Sequence, residues 1–185
     1  MRSNPERERE PDMPPSASPA PCRRGRSVLR LVGCIGLMAA VSGVGGAVTA
    51  PQITGWYATL PKPGFTPPDA VFPIAWTALY TLMALSLWRL WDHAPQGRAR
   101  TLALRLFLLQ LALNFIWSPV FFAFHAVWLA LLVVVALLVA VAATMGAAWR
   151  VDRLAGALLA PYLAWIAFAS LLNAAIAVGL GSPLA

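Results

Sequence analysis

In the long apolar runs of this chain few side chains offer chemistry, and those few recur at helical spacing. Trp76, Tyr80 and Met83 stand at i, i+4 and i+7; Gln110, Asn114 and Trp117 repeat that spacing; Trp165, Ala169, Leu172 and Asn173 nearly do. Side chains so spaced share one face of a helix. What such faces offer is binding: indole rings on which a flat apolar ligand stacks, and amide and phenol groups that hydrogen-bond its polar edge. Each of these residues also has a plainer role. Asn and Gln join membrane helices through hydrogen bonds worth about 1 kcal/mol, and Trp anchors at the headgroup level. For the set, an internal pocket walled by aromatics explains more, because Trp76, Trp117 and Trp165 each lie in a helix bearing such partners.

Catalytic constellations are missing from the sequence. The span interiors carry no Asp, Glu or Lys, which disfavours an ion channel or a proton-coupled transporter. His93 and His125 fall near links and far apart, so haem ligation is not expected. Gly-rich phosphate loops and metal motifs are absent. Cys22 in the tail and Cys34 in the first apolar run suggest neither a disulfide nor a thiolate metal cluster.

The elements that must position these faces are membrane helices. With 59% hydrophobic and 11% charged residues, the chain has too few charges to cover a water-facing surface. Its apolar runs reach the roughly 20 residues that cross a bilayer and lack the alternation of barrel strands. The expectation is an all-α membrane protein, a bundle of five transmembrane helices, with spans at about 28–49, 71–91, 101–122, 126–149 and 154–180. A signal peptide is rejected because Val28 to Thr49 is too long for an h-region. Residues 1–27, rich in Arg and Pro, read as a disordered tail.

Between the first two spans, the prolines at 61, 63, 67 and 68 predict an ordered but non-helical loop over 51–69. Within the first span, Gly36, Ala40, Gly43 and Ala47 form a small-residue stripe read as tight packing inside one subunit. Trp88, Arg89 and Trp91 suit a headgroup zone, and a tight link is expected at His125. The formal charge of +7 reads as a topology signal rather than a nucleic-acid surface. Five spans put every Arg on one side, in the tail and the second and fourth links, and leave only Lys62 opposite. That split puts the N-terminus in the cytoplasm if the membrane is an inner one.

Three blocks, WYATLPKPGFTPPDAVFPIAWTALY from Trp56, QLALNFIWSPVFF from Gln110 and PYLAWIAFASLLN from Pro161, resemble the signature blocks of the TspO/MBR family. This is the family of the translocator protein, tryptophan-rich sensory protein or peripheral-type benzodiazepine receptor. The resemblance spans about Leu29 to Ala177. It implies five helices, a homodimer, and a pocket beneath the first loop, which acts as a lid. It also implies porphyrin ligands such as protoporphyrin IX, with no cofactor required. By position it implies ligand contacts at Trp76, Tyr80, Asn114, Trp117, Trp128, Trp165, Ala169, Leu172 and Asn173. Trp76 and Trp165 match the pair tied to light-dependent porphyrin breakdown in some bacterial members, which makes them the candidates for any catalytic role.

The chain also departs from its relatives. Gly64 and Phe65 follow the loop's Lys-Pro where many bacterial members have two tryptophans. The basic residue of the animal sterol motif is absent after Leu172. Two further readings stay open beside a tetrapyrrole receptor: a transporter of porphyrin or lipid-like molecules, and a light-driven porphyrin-degrading enzyme.

Overall fold

The computed structural model describes residues 21–179, with side chains from residue 25 onward. Helix α1 is Pro21–Ile53, α2 Trp56–Thr59, α3 Val71–Asp92, α4 Arg98–Ser118, α5 Val127–Val151, α6 Arg153–Ala157 and α7 Ala160–Ala177; a π-helical segment, Pro119–Ala123, extends α4. Among the described residues, five stretches are long and apolar enough to cross a membrane: Gly25–Ile53, Val71–Asp92, Arg98–Ala123, Val127–Val151 and Arg153–Ala177. Helices suit lipid because each closes its own backbone hydrogen bonds where no water can. The chain is therefore an all-α, multi-pass integral membrane protein.

Neighbouring helices follow the circuit α3, α1, α4, α5, α7, and α7 meets α3 only sparsely. Small buried residues, Ala103 and Ala130 and Ala148 among them, let the backbones approach. One half of the bundle is filled by Met83, Leu90, Phe107, Leu137, Val141, Tyr162 and Ile166. The other half is organised by rings: Tyr57, Phe121 and Phe122 with Leu172 and Ile176.

Polar groups close the filled end. Ser27 Oγ donates to Asp92, whose Oδ1 pairs with Arg30 at 2.6 Å, and Trp88 Nε1 donates to the Ser27 carbonyl at 3.2 Å. These contacts tie α1 to α3. Arg89 pairs with Asp152 at 2.9 Å, and Asp152 also caps α6 by accepting from the N–H groups of Leu154 and Ala155. Ser86 Oγ donates to the Ala155 carbonyl, so α3 is tied to α6 as well. Burial alone would raise the Asp152 carboxyl. The Ala155 N–H, the Arg89 guanidinium and the Leu154 N–H outweigh it and hold the group below its ordinary range.

The structure corrects three expectations and refines a fourth. The tail does not extend to residue 27: residues 21–27 are already helical, and Ser27 and Arg30 are held by α3; residues 1–20 lie outside those described. The loop over 51–69 is partly helical, since α1 continues through Pro51 to Ile53 and α2 adds a turn. Gly36, Ala40, Gly43 and Ala47 are exposed, and a Cβ on Gly36 or Gly43 would meet nothing within 4 Å, so the stripe packs nothing inside this chain. The fifth span is present as Arg153–Ala177, and Pro161 kinks it. This proline has no N–H to offer the Ala157 carbonyl, and the helix breaks at Leu158–Leu159 into α6 and α7. The remainder of that span, at residue 180, lies outside the described residues.

Candidate functional site

The half of the bundle under the Pro-rich loop encloses a cavity of about 460 Å³. Helix α1 contributes Gly45 and Gly46, which have no side chain and so leave room, and Thr49; Ser118 Oγ anchors that wall at 2.9 Å from Thr49 Oγ1. From α3 come Phe72, Trp76 and Tyr80, from α4 Asn114 and Trp117, from the π segment Phe121 and Phe122, and from α7 Trp165, Phe168, Ala169, Leu172 and Asn173. The extra residue per turn of the π segment arises at Pro119, and Phe124 N–H reaches back five residues to the Pro119 carbonyl at 2.9 Å. That wider turn carries both phenylalanines onto the cavity.

The aromatic walls meet at defined angles. Trp76 leans over Tyr80 with centroids 5.4 Å apart and stands edge-on to Trp165 at 6.3 Å and 80°. Phe72 meets Trp165 at 5.9 Å, so rings rather than backbones close the sparse α3–α7 seam. On the opposite wall Trp117 stacks on Phe121 at 5.3 Å and 22°.

Beneath the rings lies a hydrogen-bonded floor. Tyr80 donates its hydroxyl to Asn114 Oδ1 at 2.7 Å, and Asn114 Nδ2 donates to the Tyr162 hydroxyl at 2.9 Å. Asn173 works similarly on the far side: its Oδ1 accepts from Trp117 Nε1 at 3.2 Å and its Nδ2 donates to the Val127 carbonyl at 3.1 Å. Both asparagines thus bridge helices, and each keeps only its spare lone pair or N–H for anything else.

The loop covers the cavity from above with Tyr57, and Asp69 stands at the rim. Lys62 Nζ lies 4.3 Å from the centroid of the Tyr57 ring. Burial, and then the Asp69 charge, push the Tyr57 hydroxyl above its ordinary value. Phe65 touches Phe168 edge-on at 6.3 Å. The loop's other end is pinned where Trp56 stacks on His125 at 4.2 Å.

A model of the TspO/MBR family matches residues 34–178, a stretch that includes every residue lining the cavity. The chain belongs to the TspO/MBR family. It is similar to tryptophan-rich protein TspO of Archaeoglobus fulgidus, 39% identical over 150 residues (81% of this chain, 96% of that protein). Similarity extends to a tryptophan-rich sensory protein of Cereibacter sphaeroides, 42% over 134 residues (69% and 82%). The human translocator protein is 39% identical over 119 residues (64% and 70%).

Of the nine positions named from the TspO/MBR resemblance, Trp76, Tyr80, Asn114, Trp117, Trp165, Ala169, Leu172 and Asn173 line this one cavity. Trp128 does not. It is 64% exposed in the first turn of α5, beside a separate recess formed with Leu60 and His125. The register of α5, fixed by the Asn173 bond to Val127 and by fully buried Ala130, turns Trp128 outward. Gln110, the deepest member of its stripe, is buried outside the cavity, and its amide atoms have no hydrogen-bond partner among the described residues.

Sequence reasoning missed the α1 wall, Tyr57, Phe72, Phe168 and the Phe121–Phe122 pair. The signals were present as Gly45-Gly46 in the first span and as two phenylalanines just after Pro119.

Proposed function

We propose that this TspO-family chain is a membrane receptor or sensor for tetrapyrroles, with porphyrins such as protoporphyrin IX as its ligands. One observation carries the reading: a cavity of about 460 Å³, within the range of small-molecule sites, is walled on both sides by indole rings. A flat macrocycle would lie against Trp76 and Trp165, with Phe121 and Trp117 opposite. The Tyr80 hydroxyl and the spare valences of Asn114 lie at its lower edge. The segment over 51–69 acts as cover, with Tyr57 and Asp69 on the cavity, and the protein itself needs no further cofactor.

Light-driven loss of the porphyrin belongs to the same proposal, with Trp76 and Trp165 as the responsible pair. So do a homodimer, which rests on family resemblance, and a cytoplasmic placement of the end that carries Arg30, Arg89 and Arg153. Titration of tryptophan fluorescence with protoporphyrin IX, in the dark and under illumination, tests the reading on purified protein. Saturable quenching in the dark supports a receptor, and a new absorbing product under light adds turnover. No quenching above that of empty nanodiscs refutes both.

A further inference from the structure

Of the residues lining the cavity, one carries a formal charge: Asp69, exposed at the rim two residues ahead of α3. Among the described residues, no Lys, Arg or His lines the cavity with it. The loop's own cation, Lys62, sits against Tyr57, and no ion pair joins it to Asp69 among the described residues. Below the rim the walls are aromatic faces, which carry negative quadrupole density and attract cations. Rim and walls therefore set up fields of the same sign. A carboxylate entering this mouth meets repulsion and loses water, whereas an ammonium group meets Asp69 first and the ring faces next.

We infer that Asp69 sets the charge preference of the cavity, favouring flat aromatic ligands that carry a positive charge or none over those that carry carboxylates. The inference rests on the cavity being the ligand site, and it refines the proposed function by naming which members of a ligand class bind best. A ligand with carboxylate arms is accommodated with those arms turned away from Asp69. The competing account of Asp69 is local: an acidic residue just before α3 interacts favourably with the positive end of the helix dipole. That role affects folding stability and leaves ligand selection unchanged.

The test compares three probes that share one macrocycle: protoporphyrin IX, its dimethyl ester, and a bis-amide bearing tertiary amines. Each is titrated against the full chain in zwitterionic nanodiscs, with wild type, Asp69→Asn and Lys62→Gln in identical lipid so that membrane partitioning cancels. The quantity read is the ratio of the free-acid Kd to the amine Kd. Wild type should give a ratio well above one, Asp69→Asn should lower it about ten-fold, and the dimethyl ester should hardly respond. A ratio that changes by less than about two-fold in Asp69→Asn, or that responds only to Lys62→Gln, overturns the inference.

Paired xanthene dyes, cationic rhodamine 6G and anionic fluorescein, separate this result from the tetrapyrrole proposal. If no porphyrin binds but rhodamine binds in an Asp69-dependent way, the tetrapyrrole reading fails and the charge preference stands. If neither dye shows Asp69-dependent binding in that case, both fall. Thermal melting of Asp69→Asn in the same nanodiscs reports the helix-dipole role independently.

Discussion

Tyr80 and Asn114 meet across 2.7 Å, hydroxyl to amide oxygen, and this bond ties α3 to α4 directly beneath the cavity. Because Asn114 also donates to Tyr162 on α7, three helices share one amide. The floor is thus both a structural joint and the polar end of the site. Tyr80→Phe should cost about 0.6 kcal/mol, the average for hydrogen bonds between membrane helices, and no more than about 1.7 kcal/mol, the largest such value. Asn114→Ala should cost more, since it strands two phenols. A double-mutant cycle on Tyr80→Phe and Asn114→Ala, followed by unfolding in detergent, should show positive coupling. Strict additivity would mean that the bond contributes nothing.

Trp76 and Trp165 hold each other edge-on at the α3–α7 seam. Replacing both with Phe keeps rings in place and removes both indoles, so the helices should remain folded by circular dichroism. Light-dependent loss of protoporphyrin IX should disappear in the double variant. Unchanged photoproduct formation refutes the role proposed for the pair.

Gly156 is where α6 crosses α5. A Cβ there would stand 2.9 Å from the Trp149 backbone, a contact that no rotamer change relieves. Gly156→Ala should destabilise the protein by about 1–3 kcal/mol through overpacking, without altering ligand affinity measured at low temperature. A variant as stable as wild type would show that the two helices separate at little cost.

Asp152 gives the fold a pH signature. Its carboxyl is held below the ordinary value, so its contribution is complete above the unfolded value of about 4 and is lost as pH falls through the lower folded value. Asp152→Ala should lose about 1–2 kcal/mol at neutral pH, from the helix cap and the Arg89 pair. The difference from wild type should stay constant from pH 7 down to about 4 and narrow below it. A difference that instead grows with acidity contradicts the assigned direction.

What the sequence made legible follows from periodicity. Trp76 and Tyr80, or Asn114 and Trp117, share a face because α3 and α4 are regular there, and helical spacing alone puts them together. Phe121 and Phe122 were hidden because the π segment after Ser118 changes the period just where they begin. Trp128 came from the family resemblance and from no spacing in this sequence, and the structure places it outside the cavity that the other eight positions line. The small-residue stripe of α1 showed that something can approach closely, but spacing does not say whether the neighbour lies inside or outside the chain. The break ahead of Pro161 was signalled by the proline, yet the hydropathy of the run continues unchanged across it.

The polar ties of Asp92 and Asp152 hold α3 at its C-terminal end, and the Tyr80–Asn114 bond holds it again at its middle. From Tyr80 back to Val71 the helix runs about 14 Å. Over that length α3 meets α7 through the rings of Phe72 and Trp76 against Trp165. The position of this cavity wall therefore follows the fit of ring against ring, and a substitution among the three rings reshapes the chamber while the bonded part of the helix stays in place.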